Sequence, residues 1–510
     1  MYKIINKVTQ KEKLKIISKS SYILGQQCEK SFWFKHNQYP ETNPQDEAAQ
    51  ERLAAGDEVG EISKMLFPEG EEIPFLDGNY QDMHDITMEK ISLGAERLYE
   101  ASFLNDGIFI RVDLMNKTKD GWDIYEVKSS SSVKDYHKDD ASLQWHVLKK
   151  IPEIKLNSLY IAVLNNAYEK SSEIIPDEFF KKENVTEIAN QNRKAVEQKI
   201  SELKILSSQN DKPKIKISSH CKKPHDCVYQ DNCWPKNKDD LNSIFTLYRL
   251  NTKKKIDLYE MGIDTFEKIQ DESGFTNIQQ KQLQAYKIKQ PIIDKKVIRE
   301  FIEKVQYPIS YFDFETFSDA VPVFERQKPH MQVPFQYSLH IQSNIEEKLK
   351  IDEGHYEFLA NHEIDPRRSI AESMIKHLPA QGTIMAYNES FEKKCIKSLA
   401  EHCPDLADQL LSFNERFLDL IIPFRSGGYY DLNFKGSFSL KNVLPALCPE
   451  NKELDYDNLE ISDGGTASST FKKMQSLSED EIKIKRNNLR EYCRLDTYAM
   501  YAIYAKLLEI

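Results

Sequence analysis

Residues 311–318 read YFDFETFS, and no other stretch constrains the fold as strongly. Two acids, Asp313 and Glu315, stand two positions apart inside a run of aromatics. In a strand, side chains at i and i+2 share a face, so both carboxylates point the same way. Like charges on one face of a buried strand are costly unless something positive lies between them, and a divalent cation is the usual solution. On a solvent-facing edge strand the same pair would be two ordinary acids. The choice turns on whether further acids can reach the same place.

Two other stretches supply them. MAYNESFEKKCI (385–396) reads as a strand end followed by a helix, with Glu392 in its first turns. EYCRLDTYAM (491–500) belongs to an amphipathic helix predicted over about 480–508, where Tyr492 and Asp496 share a face at i, i+4. FLDL (417–420) adds Asp419, and PFQYSLHI (334–341) and GTIMAYN (382–388) read as further strands. Asp313-x-Glu315, Asn388-x-x-Phe391-Glu392 and Tyr492-x-x-x-Asp496, in this order, resemble the three motifs of the DEDD exonucleases. The tyrosine marks the DEDDy subgroup, and the second motif departs from its usual Asp in ending on Glu392. The resemblance implies a ribonuclease H-like fold. It also implies four carboxylates holding two Mg²⁺ or Mn²⁺ ions, Tyr492 orienting the attacking water, and Asp419 lying just behind the ligands.

The first 240 residues carry a different pattern. Strand-like runs at 98–103, 107–115 and 122–128, the last two joined by an Asp120-Gly121 hairpin, follow a helix-like stretch at 45–65 and the turn signal Phe67-Pro-Glu-Gly70. A helix with Leu143, Val147 and Leu148 inward, a strand at 158–165 and a long charged helix over 178–207 complete a mixed α/β segment. RVDLM and YEVKSS place Asp113, Glu126 and Lys128 on neighbouring strands, and SLQWHVL supplies Gln144. This D…ExK…Q set resembles the RecB-like branch of the PD-(D/E)XK nucleases. The resemblance implies Asp113 and Glu126 as ligands of a divalent ion, and Lys128 stabilising the charged transition state. The histidine that relatives carry on an upstream helix is missing from AAGDEVGEI, which leaves Glu58 or Glu100 as substitutes.

Eight cysteines in 510 residues do not form a secreted disulfide framework. Cys28 stands early, and CKKPHDCVYQDNC places Cys221, Cys227 and Cys233 together. One early and three late cysteines resemble the iron–sulfur RecB-like nucleases, which implies a 4Fe-4S cluster stapling the domain's ends. The first late gap is wider than the family's CxxC. Thiolates equally suit Zn²⁺, and unligated cysteines are the third reading. Cys395, Cys403, Cys448 and Cys493 are scattered and read as core residues.

Between these halves, about 241–300 is Lys-rich and helical. LYEMGIDTFEKI (258–269) suggests two short helices around Gly262, similar to a helix-hairpin-helix. A net charge of −11 argues against a protein coated in positive charge, but leaves room for a local basic groove from stretches such as Lys212–Lys216 or Lys253–Lys255. No apolar run approaches the roughly 18 residues that span a bilayer, and the first twenty residues lack a signal-peptide core. A cytoplasmic protein is expected.

RecB-like half, helical connector and DEDDy-like half, in this order, resemble an uncharacterised bacterial family over essentially the whole chain. The expected function is a metal-dependent nuclease acting on DNA, at single strands or ends, with DNA repair or phage defence as its expected setting. Two alternatives stay open: an RNA-processing exonuclease using the C-terminal site alone, and a non-catalytic nucleic-acid-binding subunit.

Overall fold

The computed structural model describes residues 16–43, 47–451, 454, 456 and 459–510. The first fifteen residues of the segment read for a leader, and the first two of the 45–65 helix, lie outside them. The described chain forms two compact units. One runs to Trp234 and adds Asp319–His330; the other comprises Pro235–Ser318 and Met331–Ile510. The Lys-rich connector falls within the second unit. Both units are mixed α/β. Among the described residues no helix is long and apolar enough to cross a membrane.

The first unit is built on strands β1 (Ile17–Ser18), β2 (Glu71–Glu72), β3 (Arg97–Asn105), β4 (Ile108–Thr118), β5 (Gly121–Lys128), β6 (Leu156–Leu164) and β7 (Phe180–Asn184). They are ordered β2-β3-β4-β5-β6-β7, with β1 paired to β4. The β4–β5 hairpin closes at Thr118↔Gly121, and Gly121 has φ +144°. A Cβ there would stand 2.5 Å from the Lys155 carbonyl oxygen. β5 and β6 are parallel and so need a crossover, which is the helix Asp135–Leu148 with Leu143, Val147 and Leu148 buried. Part of the expected 178–207 helix is strand instead. Phe180–Asn184 pairs antiparallel with β6, and the helix proper is Thr186–Ser207. Ala320 and Val321, from the Asp319–His330 excursion, join Val59, Tyr168 and Phe179 in a core of this unit.

In the second unit, β8 (Ile292–Ile293) pairs with β14 (Tyr429–Tyr430). The main sheet consists of β9 (Ile309–Phe317), β10 (Val333–Gln342), β11 (His355–Leu359), β12 (Thr383–Ala386) and β13 (Phe417–Asp419). Their order is β11-β10-β9-β12-β13. β10 runs antiparallel to both β9 and β11, while β12 is parallel to both β9 and β13. Alternation along β9 sorts the opening motif. Phe312 and Phe314 enter a core with Ile370, Met374, Ile396 and Leu399, so Asp313 and Glu315 take the other face.

The expected helix-hairpin-helix is only half formed. Helix Thr252–Glu260 is followed by Gly262 at φ +82° and then a single 3₁₀ turn, Phe266–Lys268. The intervening backbone pairs instead with 242–244: Ile244 N–H donates to Asp264 O at 3.1 Å and Phe266 N–H to Asn242 O at 2.8 Å.

Two histidines, buried His340 and half-buried His355, brace the sheet against the last helix. His340 Nε2 donates to Ile351 O at 2.9 Å, and its Nδ1 lies 2.8 Å from Thr497 Oγ1. His355 Nε2 lies 3.0 Å from Ser338 Oγ. Burial lowers His340 to about 4, with Arg494 adding to the effect and Ile351 O and Asp352 opposing it. Burial, His340 and Arg494 lower His355 to about 3. A depressed folded pKa means stability that is complete above the unfolded value near 6.5 and is lost as pH falls toward 4. For His340 the loss is about 3 kcal/mol. Urea unfolding of wild type and His340→Gln between pH 7 and 4.5 checks this: the variant is weaker at pH 7 and its stability falls less steeply.

Candidate functional site

The pairing of parallel β9 and β12 ends at Tyr311↔Met385. Asp313 and Glu315 continue past it, at the carboxyl ends of both strands, where open α/β sheets bind ligands. Opposite them on β10 stand Ser338 and Gln336. After β12 the chain turns through Asn388 at φ +78° into helix α1 (Ser390–His402), whose first turn carries Glu392. Asp419, at the end of β13, accepts from the backbone N–H groups of Asn388 (2.8 Å) and Ile421 (3.1 Å). Asp419 thus anchors the turn that aims Glu392.

The long final helix α2 (Glu479–Glu509) crosses the acid face. Gln336 Nε2 donates to Leu489 O at 2.9 Å, and Ser338 Oγ lies 2.7 Å from Thr497 Oγ1. These ties present Tyr492 and Asp496 to β9. Glu315, Glu392, Tyr492 and Asp496 are all buried. Burial pushes Asp313 well above the usual carboxylate range, and Asp496, Glu315 and Glu392 push further. Glu315 is raised in the same way, by burial, Asp496 and Glu392. Burial lifts Glu392 to about 8, with Asp419 and Glu389 contributing, and lifts Asp496 to about 6. The structure therefore brings all four predicted carboxylates into one electrostatic cluster.

Several members of this cluster escaped the sequence reading. Tyr456 donates to Asp496 Oδ1. Lys441 favours the ionised forms of Glu315 and Asp496, and its Nζ lies 5.6 Å from the Tyr456 ring and 6.0 Å from the Tyr492 ring. Neither carries a spacing signal in the sequence. Cys493, assigned to the core, is fully buried, and its sulfur also lies within 4.8 Å of carboxylate oxygens of Asp313 and Glu315. Glu392 Oε2 is buried and has no hydrogen-bond partner. Four acids with an orphaned oxygen among them fit a divalent cation.

The N-terminal cluster is organised differently. The β3–β4 and β4–β5 registers put Glu100, Asp113 and Glu126 in one row across three strands, one step beyond the pairs Tyr99↔Leu114 and Leu114↔Tyr125. Asp113 Oδ2 accepts from Val127 N–H at 2.6 Å. Lys128 Nζ donates to Glu126 and, at 2.8 Å, to Asp140; Gln144 Nε2 donates to Glu126 Oε2. The predicted set is thus together, and the structure adds Asp140 and Lys19. β1 runs parallel to the start of β4, which carries Lys19 to the carboxyl end of β5. There its Nζ donates to both oxygens of Glu126, at 3.1 and 3.2 Å, and lies 3.7 Å from Asp140. Burial and the charges of Asp113 and Asp140 push Glu126 up to about 7. Burial alone would raise Asp140, but Lys128 and Lys19 hold it well below the usual carboxylate range. Glu100 pairs with Arg111 at 3.3 Å, and Glu58 is exposed on its helix. As it stands, this cluster is already charge-compensated by lysines, and a divalent ion would have to take Glu126 from Lys19.

Cys28, Cys221, Cys227 and Cys233 line one pocket, with Trp234 and Ser31. Four thiols around one pocket suit either Zn²⁺ or an iron–sulfur cluster. Of the basic stretches, Lys254 and Lys255 are occupied internally: they donate to Gly274 O and Phe245 O.

Residues 310–439 match the family described as "Domain of unknown function (DUF2779)". The chain is 27% identical over 281 residues to "Uncharacterized protein MG366 homolog" of Mycoplasma pneumoniae, a match spanning 51% of this chain and 42% of that one. It is 25% identical over 216 residues to "Uncharacterized protein MG366" of Mycoplasma genitalium, spanning 38% and 31%. A match to "Uncharacterized protein UU173" of Ureaplasma parvum is 23% identical over 282 residues, spanning 48% and 36%. The chain therefore covers less than half the length of these curated relatives.

Removing Lys19 leaves Glu126 facing Asp113 and Asp140 with one lysine fewer. Lys19→Met is expected to destabilise the first unit by about 1–3 kcal/mol in EDTA, a range discounted for the partial exposure of Lys19. Added Mn²⁺ recovers part of the loss, and Glu126→Gln in the same background abolishes the recovery. Chemical unfolding with and without Mn²⁺ measures both.

Proposed function

We propose that this protein is a metal-dependent nuclease whose C-terminal centre trims nucleic-acid 3′ ends. One observation carries the reading: four carboxylates from two helices and one strand, three of them buried and that of Asp313 half-buried, act on one another beside a buried tyrosine, with no cation in direct salt bridge to Asp313 or Glu315 among the ion pairs of the described residues. That grouping matches the three DEDDy-like motifs, and a mixed sheet with the acid-bearing strand at its centre supports a ribonuclease H-like fold. Asp313, Glu315, Glu392 and Asp496 would hold two Mg²⁺ or Mn²⁺ ions. When bound, such ions supply an activated water and stabilise the leaving 3′ oxygen.

The chain's own residues do the rest. Burial and the neighbouring acids keep the Tyr492 phenol protonated, so it can donate a hydrogen bond that orients water. Lys441 adds positive charge beside Glu315 and Asp496, where an incoming phosphate would lie. Asp419 holds the Glu392 turn in place.

The N-terminal unit is proposed as a RecB-like PD-(D/E)XK domain. Its Asp113 and Glu126 would hold a divalent ion, and Lys128 and Gln144 complete the motif. Because Lys19 and Lys128 already neutralise that cluster, no catalytic step is derived through an ion there. The four-cysteine pocket is proposed to hold a 4Fe-4S cluster, on the resemblance of one early and three late cysteines to the iron–sulfur RecB-like nucleases. DNA is the preferred substrate on the RecB-like resemblance. Trimming RNA alone, or binding without turnover, would appear as such in the same assay.

Asp313→Asn keeps size and removes charge. It is expected to cut 3′ trimming of end-labelled DNA at least roughly a hundredfold, the scale of losing a preorganised charge-stabilising group. Its thermal midpoint in EDTA is retained or raised, because repulsion is relieved, while the Mn²⁺-induced rise shrinks. Normal trimming with a wild-type Mn²⁺ shift overturns the reading.

Anaerobically purified protein is expected to be brown, with iron and sulfide near four per chain. Cys221→Ser bleaches it, whereas colourless protein with stoichiometric zinc assigns the pocket to zinc.

A further inference from the structure

We propose that Cys493 is a metal ligand of the C-terminal centre, forming with Asp313 and Glu315 a three-ligand seat for a thiophilic divalent cation of the zinc and cadmium class. The proposal goes beyond the exonuclease reading and rests on it only in sharing Asp313 and Glu315. Among the described residues, these three are the group of His, Cys, Asp or Glu side chains whose ligand atoms all lie within 4.8 Å of one another. The thiol comes from α2 and the carboxylates from β9, so the seat spans two packed elements and is not a run of neighbours in sequence. Cys493 lies three residues before Asp496 on the same helix and is fully buried. A thiol in an aliphatic contact would add only packing; here it faces two acids.

Ligand softness sets what such a seat selects. Four hard carboxylates suit Mg²⁺ or Mn²⁺, whereas one thiolate added to two carboxylates shifts preference toward Zn²⁺ and its heavier congener Cd²⁺. On binding, the Cys493 S–H bond breaks, its proton passes to solvent, and a sulfur–metal bond forms; no electron changes hands. The thiophilic ion then occupies two carboxylates that the proposed Mg²⁺ or Mn²⁺ pair requires, so it antagonises that pair.

The test uses the full chain, as purified, titrated with CdCl₂. Thiolate-to-cadmium charge-transfer absorption in the ultraviolet is compared between wild type and Cys493→Ser. Subtraction cancels the other seven of the eight cysteines. Cys493→Ala serves as a second variant if the serine is poorly tolerated, and circular dichroism checks folding. The expected result is a difference band saturating at one equivalent, lost in both variants. Asp313→Asn, which keeps the thiol, weakens the band's apparent affinity roughly tenfold or more. A wild-type spectrum indistinguishable from both Cys493 variants overturns the proposal. So does a Cys493-dependent band that Asp313→Asn leaves unchanged. Loss of trimming in Asp313→Asn without any difference band leaves the nuclease reading standing while this seat falls; a difference band with normal trimming does the reverse.

Discussion

Like charges buried together at the end of β9 are the constraint on which the second unit turns. At an effective dielectric near 20, two unit charges roughly 4 Å apart repel by about 4 kcal/mol. Several such pairs would consume most of the roughly 5–15 kcal/mol that holds a typical domain together. The cluster can therefore exist only with protons or a cation among its acids. The local structure follows from meeting this condition. Alternation on β9 sends Phe312 and Phe314 to one core and the acids to the other face. Asp419 locks the turn before Glu392, and Gln336 and Ser338 dock the last helix so that Asp496 arrives.

The first unit meets the same condition by another route. Glu100, Asp113 and Glu126 form a row of acids, with Asp140 beside it, yet Arg111, Lys19 and Lys128 come to them from the same unit. β1 makes this possible. By pairing with β4 beyond the end of β5, it places the following residue, Lys19, over the Glu126 carboxylate. One cluster carries its counter-charge in side chains; in the other, Lys441 acts on two acids without forming a direct ion pair with either among the described residues. Two acid clusters that look alike as motifs thus have opposite electrostatic needs.

The features legible in the sequence were those set by short periodicities. Strand alternation placed Asp313 with Glu315 and Glu126 with Lys128, and the i, i+4 spacing put Tyr492 with Asp496. The strands at 98–128 and the final helix agree with the structure to within a few residues. What escaped depends on long-range placement. Lys19 has no neighbour of note in sequence, and only the parallel pairing of a two-residue strand reveals its role. Tyr456 and Lys441 lie on separate segments that meet only in the folded unit. The 178–207 segment looked uniformly helical because its charges mask the start, where Phe180 is claimed by the edge of β6. An isolated cysteine in a sequence suggests only burial, so Cys493 reads as a core residue until the helix is docked on β9.

Binding energy at the C-terminal centre is also folding energy. Asp313 and Glu315 sit on β9, Glu392 on α1 and Asp496 on α2, so an ion held by them all exists only when strand, turn and final helix are docked together. The unfolded chain offers no such seat, and ligand affinity for the folded state adds to stability by mass action. The repulsion that penalises the metal-free unit and the attraction that rewards the loaded one act on the same oxygens. A substitution that removes one charge must therefore shift the two states in opposite directions. A residue that only packs the interface, such as Leu489 against the sheet, shifts both the same way. Opposite shifts with and without metal separate a metal ligand from a structural acid, whatever reaction the centre performs.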